Sequence, residues 1–431
     1  MSWVFRGWQA RVWGAVAMML LIAASAVQAE SLGQRSGNFT PLDLLAPIQR
    51  QAGSQIEDKA TGDWWGLRQR LARAGITIDA RLVLEGFKNF HGGLKTNRFV
   101  GASTFDLSLT LDTQKLAGWE GGKLYGDLED HAGQNPSTDL VGDLQIFDKL
   151  NSKPYLQVFE LWYQQKLFDS KLRIKIGKVD ANTEFSVVEN GLEFLNSSSQ
   201  VSPTMFLLPT TPAPMPSVNV FVAPHETYYV GFGAYYSNRS EGFGNLVGSP
   251  QDSQPSDHGA FLIGEAGLRW QQAPVFAGGG NLKFGVWRHT GTFTRFDGSQ
   301  QRGTYGYYTI LNQTLWRPPG EPEGGRGARI FLEYGRTQRT IYTIDWHIGG
   351  GVAWRGLLSS RSHDIAGIGA QYAHISRQAG LPQPYELAME AFYRLQITGW
   401  AALMPDLQYI IHPGGQYPNA LVGTLRLIVD F

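Results

Sequence analysis

The chain has no cysteine in 431 residues. That excludes a disulfide scaffold, a Cys-ligated zinc or iron–sulfur centre and a thiol nucleophile. Charge is also scarce. Charged residues are 17%, below the roughly 25% of soluble domains. Lys+Arg is 37 and Asp+Glu is 37, so the formal charge is zero. Residues 1–29 hold Arg6 and Arg11 and no acid, so a chain starting at Glu30 would carry two more acids than bases. Such a chain does not bind nucleic acid by bulk electrostatics. Long apolar runs are missing too. After residue 29 there is no stretch of 18 apolar residues, hence no transmembrane helix. Glycine is abundant, with 52 residues against an average near 7%, and aromatics make up 12%. Low charge with many aromatics is the opposite of a disordered composition. It points to many strands joined by tight turns. The mean hydropathy of −0.21 suits a soluble secreted protein. It suits equally well a membrane barrel, in which only every second strand residue must be apolar.

The N-terminus reads as a signal peptide over 1–29. Arg6 and Arg11 form a positive start, Val12 to Ala26 is apolar, and Val27-Gln28-Ala29 offers a cleavage site before Glu30. The alternative is a membrane anchor, but the apolar stretch is short of the roughly 20 residues a spanning helix needs. The absence of cysteine fits an oxidising compartment. Residues 30–60 look like an irregular leader, with Gly33, Gly37, Pro41, Pro47 and Gly53. A short periplasmic helix is expected over 61–75. Asp63 can cap its start, Leu67 and Leu71 share a face, and Gly75 can end it.

From Ile76 the period becomes two. Phe105, Leu107, Leu109 and Leu111 alternate with Asp106, Ser108, Thr110 and Asp112. Leu387, Met389, Ala391, Tyr393 and Leu395 alternate with neighbours that include Glu390 and Arg394. Alternation of this length marks strands with one apolar and one polar face. Turn residues divide 76–431 into sixteen such segments, near 77–87, 102–113, 122–131, 154–167, 171–179, 217–223, 226–236, 259–270, 281–290, 304–316, 327–336, 345–355, 363–374, 385–396, 401–411 and 420–431. Bilayer-crossing strands need about 9–11 residues, and bacterial barrels use even strand numbers. The fold class is therefore all-β, a transmembrane antiparallel β-barrel of about 16 strands with a short N-terminal helix. A soluble sandwich or propeller is the rival. No 40-residue repeat supports a propeller. Tyr228, Tyr229, Tyr235, Tyr236, Trp270, Trp316, Tyr385 and Trp400 lie at segment ends, as an interfacial girdle requires. The chain ends on Leu425, Leu427, Val429 and Phe431, one apolar face with a terminal aromatic that resembles the insertion signal of bacterial outer-membrane barrels.

Four blocks resemble the carbohydrate-selective porins of the OprB family. They are Gly62-Asp63-Trp64-Trp65-Gly66-Leu67-Arg68 through Gly75-Ile76; Glu160-Leu161-Trp162-Tyr163-Gln164-Gln165 followed by Ile176-Gly177-Lys178-Val179-Asp180-Ala181-Asn182 and Phe185; Phe194-Leu195-Asn196-Ser197-Ser198; and Pro405-Asp406-Leu407-Gln408-Tyr409-Ile410 with Pro413-Gly414-Gly415. They run in order from residue 62 to the end. His412 stands where the family pattern expects Asn, and 203–216 is unusually rich in proline. The resemblance implies a sixteen-stranded outer-membrane barrel that passes sugars passively.

A porin carries out no bond chemistry; it offers a wet constriction whose binding is weak enough to let solute leave. Segment 180–216 shows little alternation and holds Pro209, Pro212, Pro214 and Pro216, so it is the best candidate for a loop folded into the lumen. An external loop is the alternative. A sugar presents hydroxyls and an apolar ring face, which suit Arg, carboxylates and flat aromatics. The polar faces supply Arg81, Glu85, Asp106, Asp127, Glu129, Glu160, Trp162, Arg173, Lys175, Arg269, Trp287, Glu333, Glu390 and Arg394, and the loop adds Asn182, Glu184 and Phe185. The chosen constriction residues are Glu160, Trp162, Lys178, Asp180, Asn182 and Arg394. The bland alternative for each is an inward ion pair that supports the wall. No catalytic, cofactor or metal site is expected: nine His show no HExxH arrangement, and Gly278-Gly279-Gly280 and Gly349-Gly350-Gly351 read as turns or bends. Ser362 and His363 lack any motif of a lipase. The expected partners are small sugars and outer-membrane lipid, with no nucleic acid, and the protein is a monomer or homotrimer. Two other readings remain: an anion-preferring or general small-solute porin, and a closed barrel that binds a partner.

Overall fold

A computed structural model describes residues 59–96, 98–237, 255–271, 278–322 and 324–431. The segment read as a signal peptide, and the leader except its last two residues, lie outside the described residues. Helix α1 is Leu67–Arg73 and α2 is Thr113–Ala117. The strands are β1 Ile76–His91, β2 Phe99–Asp112, β3 Gly122–Gly133, β4 Tyr155–Leu167, β5 Leu172–Val179, β6 Met215–His225, β7 Tyr228–Ser237 and β8 Gly259–Trp270. They continue as β9 Gly280–Thr294, β10 Gln300–Trp316, β11 Gly327–Thr337, β12 Ile344–Arg355, β13 Ile365–Ile375, β14 Tyr385–Gln396, β15 Ala401–Ile411 and β16 Ala420–Asp430. Each strand pairs antiparallel with its neighbours in sequence, and β1 pairs with β16 to close the barrel. Closure leaves no open edge, so every strand's ladder is satisfied without water.

All sixteen expected segments are strands. The faces separate as the alternation requires. In β9, Leu282, Phe284 and Val286 are exposed on the outside, while Lys283, Trp287 and His289 are buried inside. Segment 217–223 extends to an 11-residue strand with prolines near both ends. Pro216 lies beyond the pairing with β7, and Pro224 falls where that register breaks between Val222 and His225. Neither proline has to donate to a continuous ladder there. In β4 the register shifts between Asp127↔Glu160 and Leu128↔Val158, which leaves Phe159 as an extra residue. This bulge reverses the phase of the strand, so Val158 and Leu161 both face out while Glu160 and Trp162 turn in.

Three expectations need correction. Gly349-Gly350-Gly351 is not a turn; it lies in the middle of β12. Of the aromatics assigned to the girdle, Tyr228, Tyr236, Trp316 and Trp400 are exposed, but Tyr229 and Tyr235 are buried inside. Adjacent strand residues point to opposite faces, so only one tyrosine of each pair can reach lipid. Helix α1 is only 7 residues, and of its two leucines only Leu71 is buried, Leu67 being exposed. Gly66, at φ 87°, occupies the cap position, and Asp63 instead accepts from the Gln69 amide at 3.0 Å. Gly75 ends the helix at φ 91°, as expected. The helix is tied to the barrel by Arg68, which donates to the Phe431 carbonyl at 3.3 Å and to Thr61 Oγ1 at 3.1 Å.

The end of the barrel that carries α1 has the short connections, such as 168–171, 226–227 and 397–400. Both 134–154 and 180–214 leave the opposite end. His412, in the β15–β16 connection at the other end, adopts φ 54°, a left-handed conformation that Asn takes more readily.

Candidate transport path

Two connections, 134–154 and 180–214, fold into the barrel. The second was expected as a candidate; the first had no distinguishing pattern. Both are held by inward carboxylates that accept backbone N–H groups, which a loop has in surplus because it lacks a ladder. Glu390 on β14 accepts from Leu195 at 2.6 Å and Asn196 at 3.1 Å. Glu265 on β8 accepts from Ser186 at 3.0 Å and from the hydroxyls of Tyr229 and Tyr308, each at 2.6 Å. Glu386 on β14 accepts from Leu144 at 2.8 Å, Gln145 at 2.9 Å and Gly414 at 2.7 Å, joining the shorter inserted loop to the β15–β16 connection. Lys283 on β9 donates to the Val187 carbonyl and pairs with Glu189, both at 2.7 Å.

Apolar packing fixes the same loop. Phe194 is fully buried, with ring centroids 5.4 Å from Phe331 and 4.9 Å from Phe392. Its floor is a patch of inward glycines. A Cβ at Gly351 would stand 2.9 Å from the Phe194 ring, and one at Gly369 would stand 2.8 Å from it. The glycines of β12 and β13 thus leave a socket for one loop aromatic. The start of the loop is held by Glu184, which pairs with Arg173 at 2.6 Å and with Lys175, all three side chains being buried.

Between the long loop and the wall lies a cavity of about 440 Å³. It is reached by residues near the α1 ends of β1, β12, β13, β14 and β16, so it sits on that side of the loop. Among the described residues its wall carries six cations, Arg81, Lys149, Arg329, Arg355, Arg394 and Arg426, and four carboxylates, Asp106, Asp180, Glu189 and Glu193. Several are already matched. Arg426 pairs with Glu85 at 2.6 Å and Asp148 at 2.8 Å, and Arg81 with Asp430 at 2.6 Å. Arg394 pairs with Glu193 of the loop at 2.8 Å, and Arg355 stands 3.9 Å from the same carboxylate.

Of the residues chosen from sequence, Asp180, Asn182 and Arg394 line this cavity. Asp180 also caps the turn that follows, accepting from the Asn182 amide at 2.8 Å, and Asn182 accepts from Lys149 at 2.6 Å. Glu160 and Trp162 face inward but are covered. Glu160 accepts from the Asp180 amide at 2.9 Å, so it holds the start of the loop. Trp162, 2% exposed, stacks on Tyr125 at 4.9 Å with the Lys175 ammonium 4.0 Å from its ring. Lys178 is opposite Leu161 in register and so lies on the outer face, where it donates to the Val158 carbonyl at 2.7 Å. The expected aromatic surface is missing as well. Among the described residues no aromatic side chain lines the cavity; Trp162, Trp287 and Phe185 are buried beneath the loop. Lys149, Arg329, Arg355, Arg426, Glu189 and Glu193 were not singled out. Arg426 sits between the outward Leu425 and Leu427 and Arg329 between Ala328 and Ile330, an alternation readable in the sequence, while Arg355 follows Trp354 at the end of β12. Lys149, Glu189 and Glu193 sit in loops, where no period marks them.

Comparison with known proteins agrees with this geometry. Residues 99–431 match the model of the carbohydrate-selective porin, OprB family. Porin B of Pseudomonas aeruginosa is 25% identical, the alignment covering 86% of this chain and 90% of that protein. A putative porin, QuiX, of Acinetobacter baylyi is 23% identical over 31% of this chain and 32% of its own. The high-pH structure of Pseudomonas putida OprB superposes with a TM-score of 0.76 at 21% identity, covering 87% of this chain and 98% of that one. A closed sixteen-stranded barrel with inserted loops, matched by this family over most of its length, belongs to the carbohydrate-selective porins of the OprB family.

Proposed function

We propose that small sugars cross the outer membrane passively through the space between the inserted loop and the barrel wall, with the cavity on the α1 side as their selective passage. The observation that carries this is the cavity's lining. It combines guanidinium forks with carboxylates and the amides of Asn182, Asn190 and Gln200, at a size near the lower end of small-molecule sites. Such a surface exchanges hydrogen bonds with hydroxyls one for one, which lowers the cost of removing water from a sugar without binding it tightly. With no aromatic platform, recognition rests on hydrogen bonding rather than stacking.

Liposome swelling with monosaccharides, disaccharides and size-matched neutral non-sugars tests the reading. Sugars should enter faster than matched non-sugars. Equal rates graded only by size would leave a general porin. No swelling would leave a closed barrel.

A second reading has its own support. Arg355 and Arg394 share the one carboxylate of Glu193, which favours anions locally, so an anion-preferring porin would show a strongly anion-selective reversal potential in a salt gradient. Export fits the same picture, with 1–29 as the signal. N-terminal sequencing of the mature protein should then begin at Glu30.

A further inference from the structure

We propose that Glu193 of the inserted loop sets the charge selectivity of the path: it offsets one of the two positive charges of the Arg355/Arg394 pair, which weakens the path's attraction for sugar acids relative to neutral sugars. The inference rests on the cavity being the solute path.

Four of the cavity's five arginines fall into two kinds. Arg81 and Arg426 are balanced by acids of the wall itself or of the shorter inserted loop: Asp430 at 2.6 Å for the first, Glu85 at 2.6 Å and Asp148 at 2.8 Å for the second. Arg355 and Arg394 sit on β12 and β14, each opposite Ile365 in register, so they stand at one level on either side of β13. The acid the structure gives to both is Glu193, 2.8 Å from Arg394 and 3.9 Å from Arg355. About a quarter of each of the three side chains remains exposed, so they are solvated and face the cavity.

Glu193 is placed by its neighbours, not by this ion pair. Phe194 is seated against Phe331 and Phe392, and the Leu195 amide is held by Glu390 at 2.6 Å. Removing the charge of Glu193 therefore leaves the loop anchored and two guanidinium groups uncompensated. At a separation of several ångströms and a dielectric near that of water, one unit charge shifts a permeant ion's local concentration by about threefold, and by more where low-dielectric walls focus the field.

Reversal potentials of wild type, Glu193→Gln and Glu193→Asp in a KCl gradient across planar bilayers test this, with liposome swelling in glucose and in sodium gluconate run beside them. Glu193→Gln should raise the chloride-to-potassium permeability ratio about threefold or more and raise gluconate uptake relative to glucose. Glu193→Asp should stay near wild type, and Glu193→Gln with Arg394→Gln should return towards it. An unchanged permeability ratio in Glu193→Gln overturns the proposal. So does a rise in conductance and size limit without a change in selectivity, since Glu193 would then be only a latch for the loop. Failure of the sugar-passage reading shows differently, as wild-type protein that conducts ions but does not discriminate sugars from size-matched solutes.

Discussion

The hold of Glu390 on the inserted loop gives the sharpest test of how the passage is built. Its two carboxylate oxygens accept from Leu195 and Asn196 at 2.6 and 3.1 Å. The residue is 5% exposed, so water does not readily replace it. Leaving a buried N–H without its acceptor costs about 1–3 kcal/mol. In Glu390→Gln one oxygen is kept, while the other is replaced by an amide that meets an N–H with an N–H. The expected local loss is about 2 kcal/mol, which corresponds to roughly a 30-fold rise in the opened population. Hydrogen exchange followed by mass spectrometry on the peptide containing 195 and 196 reads this directly. Exchange there should speed up about 30-fold. The amide of Ser186, held separately by Glu265 at 3.0 Å, should change little. The barrel should fold as before, because the strand ladders are untouched. Exchange at 195–196 unchanged within threefold would refute the idea that the wall carboxylates, rather than packing alone, fix the loop.

Filling the glycine socket should have the complementary effect. Gly369→Val places methyl groups where a Cβ already comes within 2.8 Å of Phe194, so Phe194 must leave its seat, and single-channel conductance and size limit should both rise. Phe194→Ala empties the same socket at a cost of roughly 3–5 kcal/mol to loop anchoring, and should raise exchange across 189–199 without altering detergent-resistant barrel folding. Arg394→Gln should slow monosaccharide swelling several-fold while single-channel conductance stays within about twofold, since one hydrogen-bonding fork is lost from the wall and the bore hardly changes. A pH effect is expected from Asp143 in the shorter inserted loop, whose carboxyl is pushed up to about 6 by burial, from 3.8. Between these values the folded form holds the extra proton, so its contribution is most favourable below 3.8 and is lost as pH rises through 6. Exchange of the Phe147 amide, which donates to Asp143 at 2.7 Å, should therefore be better protected at pH 4 than at pH 7.5 after correction for intrinsic rates. Asp143→Asn should flatten that dependence.

The strands were legible because their signal is local and repeated. Lipid outside and polar lining inside impose a period of two on every strand, and sixteen copies of that pattern give barrel, strand count and membrane together. Arg394 was reachable by the same alternation, as were the overlooked Arg329 and Arg426. Glu160 and Trp162 were chosen as members of a matched block, and the Phe159 bulge that turns them inward was not legible in the alternation.

Only the tertiary structure decided what the inward residues do. Glu160, Glu265 and Glu390 have the same local sequence character as lumen-lining acids, yet they are spent on the amides of an inserted loop. Trp162 has the pattern of a sugar platform and is buried under that loop. Gly349-Gly350-Gly351 reads as a turn or bend in one dimension and, with Gly369 of β13, proves to be a socket. Alternation sorts side chains into lipid-facing and lumen-facing, because those two environments act on each strand independently. It cannot sort the lumen into covered wall and open passage, because that division depends on where residues far away in the chain come to rest.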